Sequence, residues 1–526
     1  MEYNVPMAKF PIGVQHFQRL REEGFLYVDK TERIYRLITT GVAYFFSRPR
    51  RFGKSILVST LEAIFQGKRK LFSGLWIDQT DYEWKEFPVI HLDLSTAVSS
   101  SPEALMTSLQ EMLKEVALKY NIKEIQRPFP SFTLSALVTE LSKRASVVIL
   151  IDEYDKPLVH HLDDRKLVEK NRDVLRDFYA TIKSLDKYLH FVFVTGVSKF
   201  SKVSLFSGMN NLKEISLYDA YADLLGLTEK EIDTYLLPDI QTIAEQQGTT
   251  EKHILSLLKT WYNGYRYGLS SHVPKVYNPL SVFSYLDQGK LANYWFTSAT
   301  PTFAIELIKN RSFPISDFEN GVIAGKEIEA SHEIDTIDIA TLLFQTGYLT
   351  IGDYNEKTGD YFLKFPNEEV RHSFLEHLLH AFSEKQPFEI HGLLFKLSDF
   401  LKTKDLENFF NVFNVFLASI PHQIHKEAES YYHSLLYLFL KAIGFRVEAE
   451  VSTSLGRIDM VLKTNHAIFI FEFKINRTAE EVLQQILSKN YQKQHSLNGR
   501  ELILVGVNFD TSSRSLNQWQ VHGSKM

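Results

Sequence analysis

The sequence predicts an α/β protein of several domains, and three features of its pattern lead to that fold class. In the first ~225 residues, short apolar runs alternate with helical stretches, which is typical of a sheet covered by helices. Helical periodicity dominates from about Gly226 to residue 345, and β-type alternation returns beyond about residue 445. A chain of 526 residues is too long for one hydrophobic core, so three or four domains are expected.

The elements follow in order along the chain. The strands predicted for the first domain are the apolar runs Ala43–Phe46, Val89–Leu94, Val147–Ile151 and Phe191–Thr195. The helical region opens with a capping box, because Glu231 stands three residues after the N-cap Thr228. A helix ending at Gly347 then precedes strands Tyr348–Tyr354 and Tyr361–Phe365, which predicts a winged-helix region. The C-terminal strands are predicted at Arg446–Val451, in a hairpin over 457–474 and at Glu501–Val507.

Composition excludes several classes of protein. Hydrophobic residues at 44% and aromatic residues at 13% indicate folded globular domains. The absence of cysteine excludes a disulfide scaffold, thiolate metal sites and a cysteine nucleophile. The N-terminus lacks the pattern of a signal peptide, and the apolar runs are too short to span a bilayer. We therefore expect a soluble cytoplasmic protein without a membrane partner, and the net charge of −5 gives no overall sign of nucleic acid.

A candidate phosphate-binding loop, SRPRRFGKS, follows the first predicted strand. Gly53, Lys54 and Ser55 open an amphipathic helix, and this arrangement offers amides to phosphate, an amine to the β- and γ-phosphates and a hydroxyl to Mg²⁺. The usual motif has glycine where Arg48 stands, so the tripeptide taken alone also fits a chance helix cap. Two further strand ends favour nucleotide binding.

The first of these strand ends is VVILIDEYD, which finishes in Asp152 and Glu153. One acid can hold the hydration shell of Mg²⁺, and the next can polarise an attacking water. The second is FVFVTGVSKFS, where Thr195 and Ser198 are suited to sensing a γ-phosphate. Three such elements in this order predict ATP and Mg²⁺ as cofactors.

The C-terminal hairpin RIDMVLKTNHAIFIFEFK raises a separate chemical possibility. A two-residue turn at Asn465–His466 places Asp459 opposite Glu472, with Lys474 on the same face. Facing carboxylates repel unless a divalent cation lies between them, so the pattern predicts a Mg²⁺ or Mn²⁺ site with an amine beside it. The alternative is a structural ion pair in which Lys474 neutralises Glu472.

Eight stretches along the chain are shared with a known family. They are FPIGVQHFQRLREEGFLYVDKT, FFSRPRRFGKS, LIDEYDKP, FVFVTGVSKFSKVSLFSGMNNL, WYNGYRYG, VYNPLSVFSYL, YWFTSATPTF and LLFQTGYLTI. With them the chain resembles the AAA-ATPase-like proteins common in Bacteroidetes, whose phosphate-binding loop is R-P-R-R-F-G-K-S. Residues ~425–526 resemble a PD-(D/E)xK nuclease-superfamily domain, a common ending in that family.

The resemblance implies a role for each matching residue. The set expected to contact the nucleotide is Arg51, Gly53, Lys54, Ser55, Asp152, Thr195 and Arg266. Ser55 and Asp152 would also bind Mg²⁺, Glu153 would be the catalytic base, and Arg266 is either a second sensor or a packing residue. The set expected to be catalytic in the nuclease-like domain is Asp459, Glu472, Lys474 and Gln485, and its metal ligands are Glu429, Asp459 and Glu472. His433 is assigned to packing near that site.

By the same resemblance the chain divides into five parts. They are an AAA-like P-loop ATPase core (1–225), a helical lid (226–300), a winged-helix-like region (301–387), a helical connector (388–424) and a PD-(D/E)xK nuclease-like domain (425–526). We expect the nucleotide state to control a metal-dependent nuclease, with DNA as substrate because winged helices most often bind duplex DNA. The alternatives are a STAND-like switch whose last domain only binds nucleic acid or a partner, and a defence or mobile-element protein that cuts when triggered. Monomer and homo-oligomer remain open.

Overall fold

The computed structural model describes residues 8–526 except 163, 198, 200–204, 206–210, 296–304, 306–320, 329–337, 384–386, 419, 421–428, 444, 454–455, 465, 490–499 and 525–526. For some residues within helices and strands only the backbone is described, and Glu429 is one of these. The chain forms two compact units. The first contains the chain up to Phe303 and Gly321–Val370, and the second contains Ala304–Asn320 and Arg371–Met526.

A five-stranded parallel sheet is the centre of the first unit. Its strands are β1 (Ala43–Ser47), β2 (Val89–Asp93), β3 (Val147–Asp152), β4 (Leu189–Gly196) and β5 (Lys213–Glu214), in the order β2-β3-β4-β1-β5. Every residue of β3 is buried, as expected of a parallel strand covered on both faces. The helices of this part are α1 (Phe17–Glu22), α2 (Thr31–Thr40), α3 (Lys54–Phe65), α4 (Pro102–Lys119), α5 (Pro130–Leu141), α6 (Lys156–Val159) and α7 (Arg165–Ser184).

The register of this sheet brings polar strand ends together. Phe46 of β1 lies beside Thr195 of β4, and Asp93 of β2 lies beside Asp152 of β3. Because all these strands run in parallel, their carboxyl ends reach the same edge of the sheet. The loop between β1 and α3 begins at that edge, which is where ligands bind in open α/β sheets.

In the described part of the same unit, four helices follow the sheet. They are α8 (Glu229–Tyr235), α9 (Leu237–Gln246), α10 (Glu251–Tyr262) and α11 (Pro279–Gln288). The predicted capping box is confirmed, since the Thr228 hydroxyl accepts from the N–H of Glu231 while the Glu231 carboxylate accepts from the N–H of Thr228. Glu231 also forms an ion pair of 2.6 Å with Lys30, which joins this helical region to the segment before α2.

A helix and a small antiparallel sheet complete the first unit. Helix α12 (Ile339–Thr346) ends at Gly347, whose φ of 92° is the left-handed conformation that glycine adopts at helix ends. Strands β6 (Val322–Ala324), β7 (Thr350–Asn355) and β8 (Asp360–Lys364) pair in the order β6-β8-β7. The helix and two of the strands follow the prediction, whereas β6 was not predicted because three residues carry too short a pattern.

The second unit combines helices with a mixed five-stranded sheet. Its helices are α13 (Glu368–Ser383, which begins in the first unit), α14 (Pro387–Thr403), α15 (Leu406–Leu417), α16 (Glu429–Ala442) and α17 (Ala479–Ser488). Its strands are β9 (Arg446–Thr453), β10 (Gly456–Lys463), β11 (Ala467–Ile475), β12 (Glu501–Asp510) and β13 (Ser515–Ser524), in the order β13-β12-β11-β10-β9. Only β11 and β12 are parallel neighbours.

The two sheets confirm the predicted α/β multidomain fold class. The hairpin of β10 and β11 also has the predicted register, because Met460 pairs with Phe471 and Lys463 with Ile468. No helix within the described ranges has both the length and the apolar character needed to cross a lipid bilayer.

Glu369, in the first turn of α13, is a buried carboxyl group in the first unit. It is 1% exposed, and its oxygens accept hydrogen bonds from the Ser281 hydroxyl (2.8 and 3.0 Å) and from the N–H of Trp295 (2.8 Å). Burial raises the pKa of Glu369 to about 7, although these donors act in the opposite direction. The folded protein therefore binds a proton here that the unfolded chain releases near its ordinary value of 4.5.

We expect Glu369 to make folding stability fall as pH rises from 5 to 8. The raised pKa contributes stability that is complete below about 4.5 and is lost as pH passes through about 7. The difference corresponds to about 3 kcal/mol in the free energy of unfolding. Urea unfolding of wild type and Glu369→Gln at several pH values measures this difference. As pH rises, the free energy of unfolding of the variant should increase relative to that of wild type by that amount. Glu376→Gln, on the same helix, is the control, and equal pH slopes for wild type and Glu369→Gln would contradict the assignment.

Candidate functional site

The loop between β1 and α3, residues 48–54, contains two residues with a left-handed backbone. Arg51 and Gly53 are left-handed, with φ of 67° and 97°. Left-handed residues in a turn bring successive N–H groups to one side, and the first turn of α3 adds its own unpaired N–H groups. A Cβ at residue 53 would meet only Leu225, at 3.8 Å, so glycine is required here for its φ rather than for space.

Lys54 is bound within its own loop. Its Nζ donates to the carbonyl oxygens of Arg48 and Pro49, both at 3.0 Å, and the residue is 5% exposed. Burial lowers the pKa of Lys54, while the charges of Asp152 and Glu153 act against that shift. An arriving phosphate would offer charged acceptors in place of two neutral carbonyls, and charged acceptors form the stronger hydrogen bonds.

Two acids stand at the end of β3 beside this loop. Asp152 is 2% exposed, and burial raises its pKa, although a hydrogen bond from Ser55 and the charge of Lys54 oppose the shift. Asp93, at the end of β2, raises the pKa of Asp152 further. Burial also raises the pKa of Glu153, whose N–H donates to Asp152 Oδ1 at 2.9 Å. The structure thus brings together four of the residues predicted for nucleotide chemistry and adds Asp93, which sequence analysis did not select.

Thr195 lies at the end of β4, beside Phe46 of β1. Its hydroxyl is buried and has no hydrogen-bond partner among the described residues. Its carbonyl accepts the N–H of Tyr154 at 3.1 Å, which ties the chain after β3 to the end of β4. An unbonded buried hydroxyl at this edge fits the predicted sensor role, and Ser198 lies outside the described residues.

Arg48 occupies the position where sequence analysis noted a missing glycine. It is 1% exposed, and its guanidinium carbon lies 4.3 Å from the ring centre of Phe46 and 3.9 Å from that of Tyr267. It donates to the carbonyl oxygens of Ser216 (2.7 Å) and Tyr221 (3.2 Å). Burial lowers its pKa to about 10. Arg48 therefore anchors the 48–54 loop to the segment that contains Tyr267, and the one available signal was an arginine among aromatic residues.

Arg266 joins the helical region to the small antiparallel sheet. Its guanidinium donates to the carbonyl oxygens of Leu269 (2.7 Å) and Ser270 (2.8 Å), and its backbone N–H donates to the Thr350 hydroxyl (2.8 Å). The residue is 6% exposed. This placement agrees with the packing alternative, and the contact with nucleotide stays a prediction.

An apolar cavity of about 90 Å³ adjoins the 48–54 loop at Phe52 and Gly53. Its other walls come from the segment before α2 and from the chain around Leu225 and Pro279. Flat aromatic groups bind in apolar cavities of this kind beside a few polar groups.

The hairpin of β10 and β11 forms the second candidate site. Lys474 Nζ lies 3.7 Å from Asp459 Oδ2 and 3.9 Å from Glu472 Oε1, and it donates to the Phe473 carbonyl at 2.6 Å. Gln485 of α17 donates to Glu472 Oε1. Asp459 Oδ2 also accepts the N–H of Phe473 at 2.8 Å. The structure therefore brings together all four residues predicted to be catalytic in this domain.

Glu472 is electrostatically the most unusual member of that group. It is 1% exposed, and burial raises its pKa to about 7, with the charge of Asp459 adding to the rise and Lys474 opposing it. Its Oε2 atom is buried without a hydrogen-bond partner among the described residues. Two adjacent carboxylates with an unbonded oxygen are a donor set that suits a hard divalent cation.

The third predicted metal ligand, Glu429, is the first residue of α16, and its side chain lies outside the described residues. Among the side chains that are described, no three of His, Asp or Glu come close enough to hold a metal ion together. His433 Nε2 lies 2.9 Å from the Asp459 carbonyl, and its ring packs on Phe473. His433 thus contacts both strands of the hairpin, as expected of a packing residue.

Known proteins are similar to this chain along most of its length. Residues 11–206 match a family described as predicted AAA-ATPase, and residues 427–519 match the PD-(D/E)XK nuclease superfamily. A protein of Azotobacter chroococcum mcd 1, described as an uncharacterized protein in the vnfD 5′ region, is 35% identical over 525 residues, which covers 97% of this chain and 98% of that protein. The first match contains the 48–54 loop, and the second contains the hairpin site.

Proposed function

Because the chain belongs to the family of AAA-ATPase-like proteins with a C-terminal PD-(D/E)XK nuclease superfamily domain, we propose that it hydrolyses ATP and that its nucleotide state controls metal-dependent cleavage of DNA. The observation that carries this proposal is Glu472, a buried carboxylate that faces Asp459 and has Lys474 within 4 Å. An ionised carboxyl group buried beside a second one needs a compensating positive charge, and a bound cation would supply it. Incubation of the purified protein with Mn²⁺ and linear, circular or single-stranded DNA, with and without ATP, is the direct test.

The nucleotide half of the proposal assigns roles at the sheet edge. The N–H groups of the 48–54 loop and the amine of Lys54 bind the phosphates, and the cavity beside Gly53 takes the base. Ser55 and Asp152 would hold Mg²⁺, because their side-chain oxygens lie within hydrogen-bond distance of each other and Mg²⁺ prefers oxygen ligands. Glu153 accepts a proton from the attacking water, and burial, which raises its pKa, makes its carboxylate a stronger base for that task.

The nuclease half assigns roles on the hairpin. Asp459 and Glu472 would hold Mg²⁺ or Mn²⁺, with Glu429 as a further ligand by family resemblance, and a bound cation supplies positive charge to the phosphate oxygens. Gln485 fixes the orientation of Glu472. Lys474, whose ammonium lies within 4 Å of both carboxylates, would act on the nucleophile and on the developing negative charge.

A STAND-like switch is the second candidate function. The hydrogen bonds of Lys54 to its own loop favour it, because these carbonyl groups compete with phosphate for the amine and so suit slow exchange or slow turnover of nucleotide. In that case ATP binding changes conformation or assembly, and the last domain binds nucleic acid or a partner without cleaving it. Turnover of ATP and cleavage of DNA separate the two functions.

Lys54→Ala should weaken ATP binding by about 10- to 100-fold. The variant loses charge-assisted hydrogen bonds to phosphate, each worth about 1.5–3 kcal/mol. Isothermal titration calorimetry with Mg²⁺ and ATP measures the change. Lys68→Ala, which removes an exposed lysine just beyond the end of α3, is the control and should leave affinity unchanged. Wild-type affinity in a folded Lys54→Ala protein would refute the assignment of the loop.

Glu153→Gln should bind ATP within about threefold of wild type and should hydrolyse it at least about 100-fold more slowly, since a general base contributes on that scale. Phosphate release under single-turnover conditions measures the rate. Glu140→Gln, at an exposed ion pair on α5, is the matched control. A wild-type protein that binds ATP without hydrolysing it would favour the switch over the ATPase.

Asp459→Asn should abolish both DNA cleavage and the rise in melting temperature that Mn²⁺ causes. The amide oxygen can still accept the N–H of Phe473, so the fold is retained while the metal loses a charged ligand. Lys474→Gln should have a lower melting temperature than wild type without metal, because the facing carboxylates lose the positive charge beside them. Its melting temperature should rise more with Mn²⁺ than that of wild type does, and it should not cleave DNA.

Asp510→Asn, at the end of the neighbouring strand β12, is the control for these metal experiments. A structural ion pair gives a different pattern, in which Mn²⁺ shifts none of the proteins. That result would remove the metal site from the proposal without affecting the nucleotide half.

A further inference from the structure

Three successive carbonyl groups of the 48–54 loop are held by side chains. Those of Arg48 and Pro49 accept from Lys54, and that of Arg50 accepts from the indole Nε1 of Trp295 at 3.0 Å. Trp295 is fully buried and lies 245 residues farther along the chain. A carbonyl oxygen repels phosphate, so a loop that binds an anion must keep these groups turned away from it.

The bond from Trp295 fixes more than one carbonyl. The peptide between Arg50 and Arg51 is planar and trans, so its N–H points opposite to its C=O and thus away from Trp295. Arg51 has a left-handed backbone, which is uncommon for a residue with a side chain and needs outside contacts to hold it. The same backbone directs the Arg51 N–H into a turn suited to anions.

Trp295 is itself held by other parts of the first unit. Its backbone N–H donates to Glu369, which also binds the Ser281 hydroxyl of α11. Its ring packs edge-on against Tyr348, with ring centres 5.2 Å apart. A Cβ on Gly347 would lie 2.5 Å from Pro49 Cγ and 3.5 Å from Trp295 Cζ2, so glycine allows this close approach to the loop.

We infer that Trp295 is a positioning residue of the 48–54 loop, whose indole N–H fixes the Arg50–Arg51 peptide so that the Arg51 N–H can donate to a nucleotide phosphate. The inference rests on the proposed function, because it assumes that this loop binds a nucleotide. It goes further by linking phosphate affinity to Ser281 of α11 and Glu369 of α13 through one residue, Trp295.

Trp295→Phe removes the indole N–H while keeping an aromatic ring. We expect the affinity for ATP and ADP to fall about 3- to 10-fold, the usual worth of one hydrogen bond. The affinity for inorganic tripolyphosphate, measured by competition, should fall by the same factor because the lost hydrogen bond affects only the binding of the phosphates. Titration calorimetry of the full chain measures all three ligands. Tyr294→Phe, which removes a neighbouring hydroxyl bonded to the Lys290 carbonyl, should leave them unchanged.

The benzothiophene analogue of tryptophan at position 295 gives a second, fold-preserving test. It replaces the N–H by sulfur in a ring of the same shape, so a loss equal to that of Trp295→Phe supports the hydrogen bond and excludes a purely packing role. Unchanged affinity for the analogue, with normal binding by wild type, overturns the inference alone. Absence of ATP and tripolyphosphate binding by wild type overturns the proposed nucleotide site and the inference together.

Discussion

The parallel register of β1, β3 and β4 is the constraint on which the first unit depends. Only in this register do Thr195 and Asp152 finish at the edge where the 48–54 loop begins. Asp152 is buried at that edge, where Ser55 and the N–H of Glu153 donate hydrogen bonds to it and Lys54 supplies a compensating positive charge. The apolar residues of these strands thus determine where the charged groups at the strand ends come together.

The two candidate sites solve the same electrostatic problem in the same way. In each, two carboxylates lie beside a lysine whose ammonium donates to a backbone carbonyl: Lys54 to Arg48 and Pro49, and Lys474 to Phe473. In each, burial raises the pKa of an acid, Asp152 in one and Glu472 in the other. The carbonyl groups that these ammonium groups contact are neutral, so an anionic ligand would offer stronger acceptors to each lysine.

Local pattern was enough to predict the hairpin site but not the surroundings of the loop. Alternation and a two-residue turn determined the register of β10 and β11, and with it the meeting of Asp459 and Glu472. Sequence analysis did not predict that Arg48 packs between Phe46 and Tyr267, or that Trp295 reaches Arg50, because contacts over such distances leave no period in the chain. Strand β13 was also missed, since its alternation is weak and its face is mostly exposed.

Helix α13 has a practical consequence for anyone who wishes to express the halves of this protein separately. The division between the units falls between Val370 and Arg371, inside the first turns of that helix. A fragment starting at residue 371 would begin without the acidic residues Glu368 and Glu369 that favour a helix start, and would expose amides that are bonded in the whole chain. A fragment ending at 370 would keep the Glu369 carboxyl but lose the helix that holds it against Ser281. Two fragments that each include residues 368–383 should therefore give more folded, soluble protein than two fragments divided between residues 370 and 371.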